Sequence, residues 1–153
     1  TALKNNYLET KSSCEIKLSI TSLIPEEYLP SPIERLKIYK SLSESNLKTL
    51  NEIKSDLLDK CGRHPQELKN LFKIRELSIK ADDLNIVKIL QGTKNIKFEL
   101  GDNVSDKTLQ NIMKLYRDKF DRVRIEKKNG EFTINYINED VLSLINEVIY
   151  ELS

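Results

Sequence analysis

Three prolines in eight residues, Pro25, Pro30 and Pro32, constrain this 153-residue chain more than any other feature. Each fixes φ near −65° and pushes the residue before it out of the helical region, so Ile24, Leu29 and Ser31 are predicted to be extended and the chain to arrive stretched. Apolar side chains (Leu23, Ile24, Tyr28, Leu29) are interleaved with the prolines, which suits a segment laid along a core. Ser31 then stands where an N-cap belongs, Pro32 at the first helical position, and Glu34 three residues after Ser31 completes the pattern of a capping box.

The length is that of one domain, able to bury roughly two thirds of its unfolded surface. The organisation expected is a lead-in over residues 1–13 and a single domain over 14–153. Lysine and arginine number 25 against 24 acids, a net charge of +1. That balance gives no global attraction to nucleic acid or to an anionic membrane. No apolar run approaches the ~18 residues of a membrane span. No basic stretch followed by an apolar run opens the sequence, so nothing in it suggests secretion. Two cysteines, Cys14 and Cys61, are too few for a disulfide framework and fit a reducing compartment, so the cytoplasm is the expected location.

Cys14 to Ile20 alternates apolar and polar residues, the period of a half-buried strand. Helices are predicted from Pro32 to about Ser43, from a cap at Asn46 to Cys61 with Gly62 in a left-handed closing position, and from Pro65 to about Leu84. On the second helix Leu47, Leu50, Ile53, Leu57, Leu58 and Cys61 should point inward. The third carries two stripes, Leu68, Leu71, Phe72, Arg75 and Ile79 against Ile74, Leu77, Ala81 and Leu84, so it should be central. Ile86–Leu90 and Asn95–Leu100 read as a hairpin. Ser105 should cap a helix with Leu109, Ile112, Met113 and Tyr116 on one face. Residues 122–127 and 131–137 flank Asn129-Gly130, a strong hairpin signal. Asn138 should cap a last helix bearing Val141, Leu142, Ile145, Val148, Ile149 and Leu152. The fold expected is α+β: about five short, mostly antiparallel strands packed with about five helices.

Catalytic chemistry is hard to find. The single histidine, His64, precedes a proline at a helix start, where a turn role explains it. Cys61 and His64 have zinc-like spacing, but a structural site wants four ligands and only Cys14 remains. No phosphate-binding glycine loop and no nucleophile elbow occurs among four glycines, so the chain is read as no enzyme by itself. Bases at Arg117, Lys119, Arg122, Arg124, Lys127 and Lys128 could face nucleic acid, but Asp118, Asp121 and Glu126 interleave with them and no aromatic platform accompanies them. The outward face of the second helix, with Lys48, Glu52, Ser55, Asp56, Asp59 and Lys60, is mostly acidic; Glu52 with Asp56 and Asp56 with Lys60 are also the i,i+4 neighbours that any exposed helix carries.

Three segments resemble a known family. Ile24-Pro25-Glu26-Glu27-Tyr28-Leu29-Pro30, Arg35-Leu36-Lys37-Ile38-Tyr39-Lys40 and Leu57-Leu58-Asp59-Lys60-Cys61-Gly62-Arg63-His64-Pro65 are similar, in order and spacing, to elements of the C-terminal domain of bacterial transcription-repair coupling factors. The resemblance runs from about Ile16 to Leu100. Cys61 stands where the family usually has an aromatic residue, and Asn85 where it usually has glycine; cysteine is small and apolar, and asparagine tolerates the left-handed conformation.

The resemblance implies a non-catalytic regulatory module of a DNA translocase. Such a module packs on the N-terminal UvrB-like module of the same protein, hides the surface that recruits UvrA, and restrains the motor until stalled RNA polymerase is engaged. It implies no cofactor here, since ATP and magnesium belong to the motor domains. It also implies Asp56, Asp59 and Lys60, with Glu52 beside them, as the residues that meet the N-terminal module. The alternative is an accessory nucleic-acid-binding domain that uses residues 117–128.

Overall fold

The protein is described here by a computed structural model covering residues 14–118, 123–126, 130–136 and 140–153. Its contacts fall into two compact units, Ile20–Ile79 and a second that joins the stretch ending at Ser19 to Lys80–Ser153.

The first unit opens with the proline segment. It does not arrive uniformly stretched as expected: Glu26–Tyr28 form a turn, with the Pro25 carbonyl accepting from both Tyr28 N and Leu29 N at 3.1 Å. A fixed φ at Pro25 suits the first position of such a turn as well as it suits an extended chain. The turn drives Ile24 and Leu29 into the interior, each 3% exposed. Ser31 is extended (φ −71°, ψ 116°), and its Oγ accepts from Glu34 N at 3.2 Å to start helix α1 (Pro32–Ser43). Glu34 does not close the expected capping box, because its carboxylate meets Lys60 instead. Arg35 on the inner side of α1 donates from Nη1 to the carbonyls of Leu29 (2.7 Å) and Pro30 (2.9 Å), which fastens the helix to the segment that precedes it.

Helix α2 (Leu47–Cys61) begins at Asn46, as expected, with a reciprocal pair: Thr49 N donates to Asn46 Oδ1 and Asn46 N to Thr49 Oγ1, both at 2.8 Å. It ends at Gly62, whose φ is +91° and whose N–H reaches Leu58 O at 2.9 Å. Helix α3 (Gln66–Asp83) follows His64-Pro65, with Pro65 O accepting from Leu68 N and Lys69 N at 3.0 Å. Each stripe foreseen on α3 has a buried pair, Leu68 and Phe72 on one and Leu77 and Ala81 on the other, while Leu71, Ile74, Arg75, Ile79 and Leu84 are half-buried. Arg75, the charged member of the first stripe, donates to Ser45 Oγ at 3.3 Å and to Ser45 O at 2.6 Å. The core of this unit is Ile24, Leu29, Leu42, Leu50, Leu57, Leu68 and Phe72, each worth roughly 1.5–3 kcal/mol of burial. It therefore draws on the proline segment and on all three helices.

In the second unit, strand β1 (Glu15–Lys17) pairs parallel with β2 (Ile86–Gln91), and β3 (Asn95–Leu100), β5 (Glu131–Asn135) and β4 (Val123–Glu126) extend the sheet antiparallel in the order β1-β2-β3-β5-β4. The burial alternation expected from Cys14 to Ile20 is present, but the ladder covers only three residues. Beyond it Ser19 N bonds the Gln91 side chain (2.7 Å) rather than a strand carbonyl. Phe98 and Phe132 lie directly opposite in register and stack at 4.7 Å, the cross-strand pair that ties β3 to β5. Asn85 adopts φ +62° at the exit of α3, the left-handed geometry expected there. Gly130 has φ +60° at the last hairpin; Asn129 lies outside the described residues.

Two assignments in this unit need correction. Ser105 caps helix α4 (Asp106–Asp118) through Thr108 N, as expected, but the helix buries Thr108, Ile112 and Leu115 and leaves Leu109 and Met113 exposed. Helix α5 (Val141–Leu152) is capped by Asp140, whose Oδ2 accepts from Ser143 N at 3.2 Å; Asn138, the expected cap, lies outside the described residues. All six apolar residues assigned to α5 are buried, and Leu144 joins them. The fold is α+β with mostly antiparallel pairing, as the sequence predicts.

At Gly62 a Cβ would meet nothing within 4 Å, so the cost of a side chain there is conformational alone. Gly62→Ala is expected to lower stability by about 1–2 kcal/mol, measured as a shift of the urea midpoint at constant slope; an unchanged midpoint would show that the positive φ is not required.

Candidate functional site

Glu52, Asp56 and Asp59 stand at i, i+4 and i+7 on α2, one stripe of the helix, and all three are exposed. No ion pair among the described residues engages any of them. Lys60, expected beside Asp56, turns instead to α1 and pairs with Glu34, whose hydrogen bond and charge raise its pKa above the ordinary lysine value. The structure therefore brings the three acids together as a free row and gives the lysine a partner of its own. Leu47 (40% exposed) and Leu58 (50% exposed) do not point inward as expected. They lie on the flank opposite the acid row, while Leu50 and Leu57 take the core.

The end of α2 is braced. Tyr28, from the proline segment, has its single O–H shared between Leu57 O (3.0 Å) and Gly62 O (2.7 Å), spanning the last turn that carries Asp59 and Lys60. Desolvation, followed by the neighbouring Cys61, raises the pKa of that hydroxyl, so it stays protonated and able to donate. His64 Nε2 lies 3.0 Å from Lys54 O and donates to it, since a carbonyl can only accept. The imidazole ring sits edge-on to Phe72 at 5.0 Å. The histidine fastens the α2–α3 turn, with its ring enclosed among aromatics and its Nε2 engaged.

The other chemistry-bearing groups do not assemble. Burial pushes the Cys14 thiol from 9.0 up to about 12, with Asp82 and Glu15 adding to the effect, so it is neither thiolate nor nucleophile near neutral pH. Among the described residues no three His, Cys, Asp or Glu side chains are placed to hold a metal ion, and no helix is long and apolar enough to cross a membrane. Of the basic residues at 117–128, Arg117 is exposed at the end of α4 and Arg124 falls in β4; Lys119, Arg122, Lys127 and Lys128 lie outside the described residues. An open cleft of about 430 Å³ in the second unit is lined by Lys80, Asp83 and Leu84 and by Ile149 and Tyr150 of α5. It contains none of the candidate catalytic, metal-ligating or interface residues read from the sequence.

The segment that builds this braced, acid-bearing helix is also the segment that matches a family. A model of the TRCF domain matches residues 18–112, more than half of the chain. The chain belongs to the TRCF domain family. It is 36% identical over 109 residues to a transcription-repair-coupling factor of Haemophilus influenzae, covering 69% of this chain and 10% of that protein. It is 36% identical over 87 residues to that of Buchnera aphidicola, covering 56% of this chain and 11% of that protein. This TRCF domain chain thus spans about a tenth of the length of the curated relatives it matches. Its fold is similar to a crystal structure of the C-terminal domain of a transcription-repair coupling factor, with a TM-score of 0.70 at 14% identity, over 92% of this chain and 95% of that one.

Tyr28→Phe removes one hydroxyl that serves two carbonyls and is expected to cost about 1 kcal/mol of stability. Equilibrium urea unfolding reads the change; a variant as stable as the parent would show that the hydroxyl does not brace the end of α2.

Proposed function

We propose that this TRCF domain is a non-catalytic docking module of a transcription-repair coupling factor. The acid row Glu52, Asp56 and Asp59, with Lys60 beside it, meets cations on the N-terminal UvrB-like module of the same protein. In the docked state the surface that recruits UvrA is masked and the motor is restrained. Engagement of stalled RNA polymerase releases it. The observation that carries this reading is the row itself: three exposed carboxylates without ion-pair partners, on one face of a helix braced at its end. No ATPase motif occurs in the chain, so ATP and magnesium act elsewhere in the full-length protein.

Exposed ion pairs contribute about 0.2–1 kcal/mol each, so the contact is weak between free molecules. Tethering in one chain supplies an effective concentration on the order of millimolar, enough to close a weak interface. A partner with a few kcal/mol of preference for the open form is then enough to release it. A contact made of surface charge suits a reversible clamp better than a permanent one.

Calorimetric titration of this domain against the separately expressed N-terminal module tests the reading. Binding is expected at low salt, weakening at moderate salt, and Asp56→Lys with Asp59→Lys is expected to lower the affinity at least tenfold. Equal affinity of the reversed variant would remove the acid row from the interface. No binding even near millimolar concentration would remove the clamp.

A further inference from the structure

The cleft of the second unit is walled on one side by Lys80 and Asp83 of α3 with Leu84 just beyond, and on the other by Asn146, Ile149, Tyr150 and Ser153 along α5 and at its end. The latter four stand at i, i+3, i+4 and i+7, one face of a helix. Ile149 is buried, whereas Tyr150 stays 78% exposed. Among the described residues no hydrogen bond or ion pair engages the side chain of Asp83, Asn146 or Tyr150, while Lys80 is not free. The charge is one-sided. The last turn of α3 and the whole of α5 carry four acids, Asp82, Asp83, Glu147 and Glu151, against one base, Lys80. Asp82 and Asp83 also stand where the free carbonyls form the negative pole of α3, a position that favours cations. Acids placed there cost stability, and a bound cation relieves that cost.

We propose that this cleft holds the side chain of an arginine presented by a partner protein. It is a different surface from the acid row of α2 and does not rest on the preceding reading. Its volume of about 430 Å³ is near the lower end for ligand pockets, roughly 300–1,000 Å³, which suits one side chain with its flanking backbone. Leu84 and Ile149 take the aliphatic stem. The Asp83 carboxylate accepts two parallel N–H bonds from the guanidinium, Asn146 Oδ1 accepts a third, and the Tyr150 ring offers a face on which the guanidinium stacks. A lysine would meet the charge but has no planar fork to match the carboxylate. Charge complementarity excludes the other occupants, because the four acids repel nucleic acid, anionic lipid and acidic peptides alike.

The test is a titration of the isotope-labelled chain with the capped tripeptide acetyl-Gly-Arg-Gly-amide, read by amide chemical shifts, with the lysine and citrulline peptides as comparators. Saturable shifts are expected at Leu84, Asn146 and Tyr150, with a Kd on the order of millimolar. The lysine peptide should bind more weakly, and the neutral citrulline peptide should leave the spectrum unchanged. Asp83→Asn and Tyr150→Ala should each lower the arginine affinity about fivefold or more. Asp83→Asn removes a like charge from the negative pole of α3, so it should melt at or above the parent's temperature, which separates lost binding from lost folding. Equal affinity for the lysine peptide, or for either variant, would overturn the arginine site. Shifts spread as strongly over Glu52, Asp56 and Asp59 as over the cleft would reduce the effect to general charge attraction and overturn it too, as would a spectrum with no saturable shift.

Discussion

The hydroxyl of Tyr28 is the contact on which the candidate interface depends. Its one hydrogen is shared between carbonyls on both sides of the last turn of α2, and it comes from a segment whose own path is set by Pro25 and Pro30. The proline segment thus does two jobs. It buries Ile24 and Leu29 in the core of the first unit, and it holds the end of the helix that displays Asp59 and Lys60. The positive φ of Gly62 lets the chain reverse at that point, and His64 closes the reversal against Lys54 O. An acid row on a frayed helix end would lose its geometry to conformational entropy; here the row is held at its C-terminal end by groups from a different part of the chain.

Much of this was legible in the sequence where local rules act alone. The start of α1 at Ser31-Pro32, the Asn46 cap, the Gly62 reversal and the left-handed Asn85 each follow from one residue's conformational preference, and the two stripes of α3 follow from helical periodicity. The failures share a cause. Leu47, Leu58 and Leu109 are apolar and lie near an inward stripe, yet each sits on the edge of its helix's buried arc, and exposure there depends on what packs alongside; Met113 falls on the side of α4 away from Thr108 and Leu115. The Glu34 capping box failed because Lys60, 26 residues away, offers an opposite charge that a backbone N–H does not. The turn at Glu26–Tyr28 was missed because a proline at its first position is as compatible with a turn as with an extended chain.

The candidate site was legible in part, and for a definable reason. The acids at 52, 56 and 59 could be seen to share a face, but whether they pair with lysines on their own helix is decided by side-chain geometry across helices. The outer face of α1 was not singled out at all. Its apolar residues, Ile33, Leu36, Ile38, Tyr39 and Leu42, run nearly all the way round the helix, and no periodic rule separates those that build the core from those left to the surface.

The measurement that tests the central claim most directly is the affinity of UvrA for the full-length coupling factor, with and without charge reversal at Asp56 and Asp59. If this domain clamps the N-terminal module through the acid row, the reversed protein binds UvrA more tightly, approaching the affinity of the N-terminal module alone. Equal affinity of the two full-length proteins, with the isolated module binding far more tightly than either, would contradict the account, because the masking would then not depend on these carboxylates.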